Sequence, residues 1–254
     1  MARRIATTIR KLDSERLLVS AELLSLEGII SEEYKEIFDV IGVNYPESPV
    51  MGEGLNNIKK RYPNQPLMST ENASYFSTRG IYKDNWELCH TNNMGSCFSM
   101  FGREPLPKGA PGAGGTAHPE QVMDFFESHK FMGGSFLWTQ MDYCGEPSPF
   151  EWPAISSQFG IMDTCGFPKD YFYYYQSKWS NKPIVYAMPH WSLNDIGISE
   201  SEVRVFSNCE EVELFINNVS QGRKVTGKHS TSWNVNFEPG ELKVVGYNEN
   251  KVVA

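Results

Sequence analysis

Over residues 1–181, short apolar runs of strand length alternate with helical spacings of apolar residues. Four runs have the character of strands, and polar residues follow each of them: RLLVSAE (16–22), DVIGVNY (39–45), PLMSTE (66–71) and GGSFLWTQMDY (133–143). The apolar spacing predicts helices over 2–12, 31–38, 52–62, 118–131 and 169–179. Continuously apolar strands between helices are typical of a parallel sheet covered by helices, so this part is predicted to be α/β.

From about Pro183 the pattern changes to short strands of alternating polarity. They are IVYAMPHW (184–191), EVRVFSN (202–208), VELFINN (212–218), SWNVNFE (232–238) and ELKVVGYN (241–248). In the third of these, Val212, Leu214 and Ile216 share one face. The pattern predicts a small antiparallel β-sandwich. We place the boundary near Asn181, which gives domains 1–181 and 182–254.

Composition and charge narrow the classes of partner. The 23 basic residues are outnumbered by 31 acidic residues, the formal net charge is -8, and no basic stripe appears. This argues against a nucleic-acid partner. No apolar run approaches the ~20 residues of a membrane span, so no membrane partner is predicted. The N-terminal stretch MARRIATTIRKLDSERLLV lacks the apolar core of a signal peptide, and the compartment stays open.

The cysteines and the glycine-rich segment give no indication of a metal or a cofactor. The five cysteines have no CxxC pair and are predicted to be plain buried or loop thiols: Cys89, Cys97, Cys144, Cys165 and Cys209. The segment KGAPGAGGTAHPE (108–120) lacks the GK[ST] ending of a phosphate loop and is predicted to be a flexible loop.

Chemistry-bearing residues follow the predicted parallel strands at the end where a β/α barrel places its active site. They are Glu22, Asn44 with Tyr45, Glu71, and Trp138 with Asp142. Carboxylates, a phenol and an indole suit a carbohydrate site, because indoles stack on sugar faces and carboxylates accept hydrogen bonds from hydroxyl groups. From the residues alone, a solvated glutamate at a strand end stays open as the other reading of Glu71.

Several motifs carry a resemblance to a known family. In chain order they are DVIGVNYP (39–46), STENASYFSTRGIY (69–82), FLWTQMDYCGEPSPFEWP (136–153), FGIMDTCGFPKDYFYYYQSKW (159–179) and PHW (189–191). They closely resemble the bacterial β-galactosidases of glycoside hydrolase family 2, in the same order and over nearly the whole chain. The resemblance implies a catalytic TIM barrel with two glutamates and a retaining mechanism.

The resemblance also implies roles for the residues at the strand ends. Glu71 matches the nucleophile at the end of the seventh barrel strand, and Tyr45 matches the tyrosine that hydrogen-bonds this nucleophile. Trp138 matches a tryptophan of the sugar subsite. Asn44 and Asp142 are expected to bind substrate, although Asn44 could instead only hold the strand end.

The second catalytic carboxyl has no counterpart in this chain. A retaining glycosidase needs it ~5 to 5.5 Å from the nucleophile, and the family carries it on an Asn-Glu pair at the end of strand four. The only Asn-Glu pair here is Asn248-Glu249. We therefore expect the C-terminal half of a (β/α)8 barrel, strands five to eight, followed by an incomplete immunoglobulin-like β-sandwich. Such a fragment of a larger enzyme is expected to be poorly stable and inactive alone. The alternative is that Asp142 or Glu146 supplies the acid.

The implied substrate is an oligo- or polysaccharide or another β-glycoside, without a cofactor. β-Glucuronidase is disfavoured because residues 157–160 read Ser-Gln-Phe-Gly, without the Asn-x-Lys element that holds a substrate carboxylate; β-mannosidase stays open. A homo-oligomer of the full-length enzyme also stays open, and for that enzyme the periplasm or cell exterior is favoured over the cytoplasm. Two other classes of function stay open. One is a glycan-binding protein that uses Tyr45, Trp138 and Trp191, and the other is a purely structural sandwich module.

Overall fold

The structure is a computed structural model that describes residues 1–22, 27–48, 52, 54–95, 98–99, 102–105, 118–194, 197 and 199–254. These residues form a mixed α/β fold in two compact units. The first comprises Met1–Phe76 and Cys97–Gly160, and the second comprises Ser77–Ser96 and Ile161–Ala254. The predicted limits of the two domains remain predictions. Cys97 and most of the glycine-rich segment lie outside the described residues.

A four-stranded sheet forms the first unit. The elements in chain order are α1 (Ala2–Leu12), β1 (Val19–Glu22), α2 (Glu32–Ile37), β2 (Val40–Asn44), α3 (Leu55–Arg61), β3 (Leu67–Glu71), β4 (Phe98–Ser99), β5 (Gly102–Pro105), α4 (Pro119–Ser128) and β6 (Met132–Ser135). The sheet order is β1-β2-β3-β6 and every neighbouring pair is parallel. The parallel sheet and its helices are thus as predicted, whereas the small antiparallel pair β4-β5 was not predicted.

Local sequence explains the positions of these elements. Ser31 caps α2 by accepting a hydrogen bond from the amide of Tyr34 at 3.1 Å. The central strand β2 is buried along almost its whole length, as expected for a parallel strand covered on both faces. The core of this unit lies between the sheet and α2 and α3; its buried members are Ile30, Tyr34, Ile41, Val43, Leu55, Ile58 and Leu67.

The fourth strand is shorter than predicted, and this changes the setting of two candidate residues. β6 ends at Ser135 instead of continuing to residue 143. The amide of Trp138 donates to the carbonyl of Asn72, the residue after β3, but the amide of Thr139 donates to the carbonyl of Phe159. Because the chain exchanges one backbone partner for another, Trp138 and Asp142 lie on a loop beyond the strand.

Two antiparallel sheets and a helix form most of the second unit. The elements are α5 (Asp170–Trp179), β7 (Val185–Met188), β8 (Glu200–Ser207), β9 (Glu211–Ile216), β10 (Val219–Val225), β11 (Thr231–Asn236), β12 (Leu242–Asn248) and β13 (Lys251–Val252). One sheet has the order β10-β9-β12-β13 and the other β11-β8-β7. Val212, Leu214 and Ile216 are buried, which confirms the predicted face of β9. β10 and β13 were not predicted, because most of their residues are exposed.

None of the helices in the described part of the chain is long and apolar enough to cross a membrane.

Candidate active site

The C-terminal ends of β2 and β3 bring three of the predicted residues together. Asn44 and Glu71 are register partners in the parallel ladder, and the amide of Tyr45 donates to the carbonyl of Glu71 at 2.7 Å. The side chain of Asn44 accepts a hydrogen bond from the hydroxyl of Thr70, also at 2.7 Å. Neighbouring parallel strands end at the same edge of a sheet, so residues 27 positions apart in the sequence become direct neighbours.

The phenol of Tyr45 is buried and lies beside the carboxylate of Glu71. Its oxygen also accepts a hydrogen bond from the hydroxyl of Ser74 at 2.8 Å. Burial raises the pKa of Tyr45 well above its ordinary value, and the charge of Glu71 acts in the same direction. Tyr45 is therefore a neutral phenol that accepts from Ser74 and has its proton available for Glu71.

The turn that follows Glu71 is compact and has an uncommon backbone conformation. Ala73 and Ser74 have φ angles of 66° and 43°, in the left-handed region that residues other than glycine rarely adopt. Asn72 is fully buried and donates through its side chain to the hydroxyl of Ser69 at 3.2 Å. The amide of Ser74 donates to the carbonyl of Asn72 at 2.9 Å. These contacts hold the residues next to Glu71 in one conformation.

Glu47 is a member of this group that sequence reasoning missed. Its Oε1 accepts a hydrogen bond from the amide of Ala73 at 2.8 Å, and its Oε2 is buried without a partner in the described part of the chain. Burial raises the pKa of Glu47 to about 7. The sequence places Glu47 after Pro46 in a polar turn, where a solvated glutamate is the ordinary expectation, so no local signal could have revealed its burial.

Trp138 and Tyr143 lie on the loop after β6. The backbone of Trp138 pairs with Ala73 in an isolated parallel bridge, and its indole lies edge-on to the ring of Tyr143, with ring centroids 6.1 Å apart. The phenol of Tyr143 donates to the carboxylate of Glu146. Burial raises the pKa of Tyr143 to about 12, with further contributions from Glu146 and from the charge of Glu71. Tyr143 thus stands within electrostatic reach of Glu71, although it was not among the predicted residues.

The side chain of Asp142 accepts a hydrogen bond from the backbone. Its Oδ1 accepts from the amide of Gly160 at 2.8 Å. Next to it, the amide of Tyr143 donates to the hydroxyl of Ser157 at 3.1 Å, and the amide of Ser157 donates to the carbonyl of Tyr143 at 2.8 Å. One oxygen of Asp142 is therefore engaged in fixing the loop that carries Tyr143.

Two further candidates lie in other surroundings. Glu22 ends the edge strand β1, and burial raises its pKa. Trp191 belongs to the second unit, where its indole donates to the carbonyl of Glu238 at 2.9 Å. Among the described cysteines, Cys144, Cys165 and Cys209 are free thiols. Within the described ranges no cluster of three or more His, Cys, Asp or Glu side chains could hold a metal ion.

The site can position a carboxylate. Glu71 lies beside the neutral phenol of Tyr45 at the ends of two neighbouring strands. The indole of Trp138 follows on a loop that pairs with the turn after Glu71. A fixed carboxylate beside an indole is suited to a nucleophile next to a sugar-stacking surface.

Comparison with known proteins agrees with this geometry. Residues 199–254 match a family described as a domain of unknown function, DUF4982. The β-galactosidase BoGH2A of Bacteroides ovatus is 35% identical over 230 residues, which cover 86% of this chain and 25% of that protein. The β-glucuronidase of Bacteroides fragilis is 28% identical over 144 residues, which cover 52% of this chain and 20% of that protein.

Solved structures of glycosidases are similar to this chain in fold. A β-glycosidase from Bacteroides vulgatus superposes with a TM-score of 0.72 at 26% identity, over 98% of this chain and 33% of that one. A glycosyl hydrolase family 2 member from Bacteroides cellulosilyticus superposes with a TM-score of 0.65 at 20% identity, over 100% of this chain and 31% of that one. The chain spans about a quarter of the length of the curated relative and about a third of these structures. By sequence and by fold, the chain belongs to glycoside hydrolase family 2.

Proposed function

We propose that this chain carries the nucleophile of a retaining glycosidase of the β-galactosidase type, with Glu71 as the attacking carboxylate. The observation that carries the proposal is the pairing of Glu71 with the phenol of Tyr45 at the ends of two neighbouring parallel strands. The relative named a β-galactosidase supports the same assignment. Terminal β-linked sugars of oligo- or polysaccharides are the proposed substrates.

The proposed reaction uses one ionised carboxylate and one protonated carboxyl group. The ionised carboxylate of Glu71 attacks the anomeric carbon, the bond to the leaving oxygen breaks, and a second carboxyl group protonates that oxygen. Water then hydrolyses the glycosyl ester on Glu71 and regenerates the carboxylate. The phenolic proton of Tyr45 is available to one oxygen of Glu71, and this contact orients the carboxylate for attack.

We assign the sheet β1-β2-β3-β6 to strands five to eight of a (β/α)8 barrel. We assign the part of the second unit that begins near residue 182 to an immunoglobulin-like sandwich, of which it would form the first part. The sequential order of four parallel strands with intervening helices supports the first assignment, and the two antiparallel sheets support the second. The acid/base would then lie outside this chain, since the Asn248-Glu249 pair lies at the end of β12 in the second unit.

Trp138 is the proposed stacking surface for the sugar, while Asn44 and Asp142 are the proposed polar contacts. A β-galactoside is favoured over a β-glucuronide because residues 157–160 supply no cation for a substrate carboxylate. A β-mannoside is the alternative within the same chemistry.

The test compares Glu71→Gln with Glu15→Gln in the protein expressed from its complete gene. Glu15 is exposed and undergoes the same loss of charge away from the site. Hydrolysis of an aryl β-galactoside should fall by at least about a thousandfold in Glu71→Gln and stay unchanged in Glu15→Gln. A Glu71→Gln variant with normal turnover would reject the proposal. Sugar binding by an unsubstituted protein that has no turnover would instead support the glycan-binding alternative.

A further inference from the structure

We propose that Glu47 is a positioning residue for Glu71: its carboxyl group holds the turn Asn72–Ser74, and through Ser74 it fixes the phenol of Tyr45 against Glu71. This inference rests on the proposed function of Glu71. It assigns a role to a buried carboxyl group that the glycosidase chemistry described above does not use.

The first step of the argument is the contact between two strand-end turns. Glu47 lies in the turn after β2, and Ala73 lies in the turn after β3. The hydrogen bond of 2.8 Å from the amide of Ala73 to Oε1 of Glu47 joins them. A second link, from the amide of Tyr45 to the carbonyl of Glu71, lies at the strand ends themselves. Together the two hydrogen bonds close a ring that includes Glu71, the residue proposed as the nucleophile.

The second step is the conformation that this bond supports. Ala73 and Ser74 both have positive φ angles, which side chains with a Cβ atom disfavour. Such a conformation persists only when surrounding contacts determine it. With the carboxyl group of Glu47 removed, the amide of Ala73 loses its acceptor while Ala73 itself is buried. The turn would then relax toward an ordinary conformation that satisfies this amide.

The third step connects the turn to the phenol. The hydroxyl of Ser74 donates to the phenolic oxygen of Tyr45 at 2.8 Å, and both side chains are buried. When Tyr45 accepts this bond, its own proton is directed to its other neighbour, Glu71. A displaced Ser74 would release the phenol, and Glu71 would lose an oriented donor. The effect of Glu47 on Glu71 is therefore indirect and passes through Ser74 and Tyr45.

The fourth step is the charge of the group. Tyr45 lies within electrostatic reach of the carboxyl groups of both Glu47 and Glu71. Burial, together with an Oε2 atom that has no described partner, favours the neutral form of Glu47. A neutral Glu47 can accept from Ala73 without a second negative charge beside the phenol. Glutamine has the same shape and the same acceptor, so it should replace Glu47 in this role.

The test uses Glu47→Leu and Glu47→Gln in the protein expressed from its complete gene. The first readout is kinetic: Glu47→Leu should lower kcat about tenfold to a hundredfold with little change in KM, whereas Glu47→Gln should stay within about threefold of the unsubstituted protein. The second readout is the titration of the Tyr45 phenol by NMR of 13C-labelled tyrosine, with Tyr45→Phe identifying the signal. The pKa of the Tyr45 phenol should be lower in Glu47→Leu than in Glu47→Gln, because a released phenol is less buried and lies farther from the charge of Glu71.

An unchanged Tyr45 titration in a folded Glu47→Leu protein would overturn the proposal, as would equal losses of kcat in both variants. If Glu47→Leu does not fold, Ser74→Ala replaces it, because it cuts the same connection one step later. Ser74→Ala removes a donor to the phenolic oxygen and should therefore raise the pKa of Tyr45 while lowering kcat, and an unchanged kcat in this variant would also overturn the proposal. The titration does not depend on turnover, so a failure of the proposed role of Glu71 would be recognised separately.

Discussion

Two glutamates at the same edge of the parallel sheet differ in their surroundings, and the difference sets their chemistry. Glu71 lies beside the phenol of Tyr45 at the ends of β2 and β3. Glu47 accepts a hydrogen bond from the amide of Ala73 and has one buried oxygen without a described partner. Burial raises the pKa of Glu47, so this carboxyl group holds its proton more tightly than an exposed glutamate does.

The burial of Glu47 predicts a pH dependence of stability. Its pKa is raised from 4.5 to about 7 in the folded state, so the folded state binds the proton more tightly than the unfolded state between these values. This contribution is fully present below the unfolded pKa and is lost as the pH rises through about 7. The free energy of unfolding should therefore fall by about 3 kcal/mol from this group between about pH 4 and about pH 8.

Urea unfolding at several pH values, on the protein expressed from its complete gene, measures this effect. The neighbouring titratable groups are Tyr45 and, through it, Glu71. Glu47→Gln should remove the decrease, while Glu15→Gln at an exposed position should keep it. Parallel pH profiles for the unsubstituted protein and Glu47→Gln would contradict the neutral form of Glu47 in the fold.

The candidate site could be predicted in part from single residues. Asn44, Tyr45 and Glu71 follow predicted strands directly, and parallel strands end at a common edge, so their proximity follows from the pattern. Glu47 and Tyr143 could not be predicted, because their surroundings depend on how two loops return to the sheet. A polar residue in a turn has the same sequence signature whether it is buried or solvated.

At the scale of elements, β2 is packed so closely between its neighbours that a side chain does not fit at its centre. A Cβ atom on Gly42 would lie 2.4 Å from the carbonyl oxygen of Ser20 on β1 and 2.6 Å from the side chain of Thr70 on β3. Gly42→Ala should therefore destabilise the protein by about 1 to 3 kcal/mol, because backbone on one side has to move. Displacement of β3 should also reduce any activity that depends on Glu71.

Gly134→Ala is a matched control for this prediction. Gly134 lies in β6 of the same sheet, and a Cβ atom there would meet nothing within 4 Å. Chemical unfolding of both variants gives the comparison: a large loss of stability for Gly42→Ala and little change for Gly134→Ala. Equal stabilities would mean that the spacing of β1, β2 and β3 differs from that described.

Elements were predictable where one face is buried and the other is not, as in β9 with Val212, Leu214 and Ile216. The end of β6 was not predictable, because the apolar run continues after the backbone has exchanged Asn72 for Phe159 as its partner. β10 was missed for the opposite reason: an exposed strand carries no apolar pattern.

At the scale of the whole molecule, the first unit exposes apolar surface beside an edge strand. Ile5 and Leu12 on α1 are 53% and 86% exposed, Leu17 is 68% exposed, and β1 is the edge of the parallel sheet. Parallel sheets usually have both faces and both edges covered, and exposed edges favour aggregation. The open side is where the proposed barrel would place its remaining strands.

We therefore expect the 254-residue chain alone to be inactive and weakly stable. Expression of this chain beside the product of the complete gene tests this, with hydrolysis of an aryl β-galactoside and aggregation on heating as readouts. Turnover by the chain alone at the rate of the complete product would contradict the proposal that the acid/base lies elsewhere. It would then favour Asp142 or Glu146 as the acid.

The central claim is that Glu71 forms the covalent bond to the sugar. Incubation of the complete gene product with a 2-fluoro β-galactosyl fluoride should trap the glycosyl-enzyme intermediate, because the fluorine slows its hydrolysis. Proteolysis and mass spectrometry should then find one fluorosugar, attached to Glu71 in the peptide around STENAS. An active protein whose adduct is attached to any other residue, or that forms no adduct, would contradict the claim.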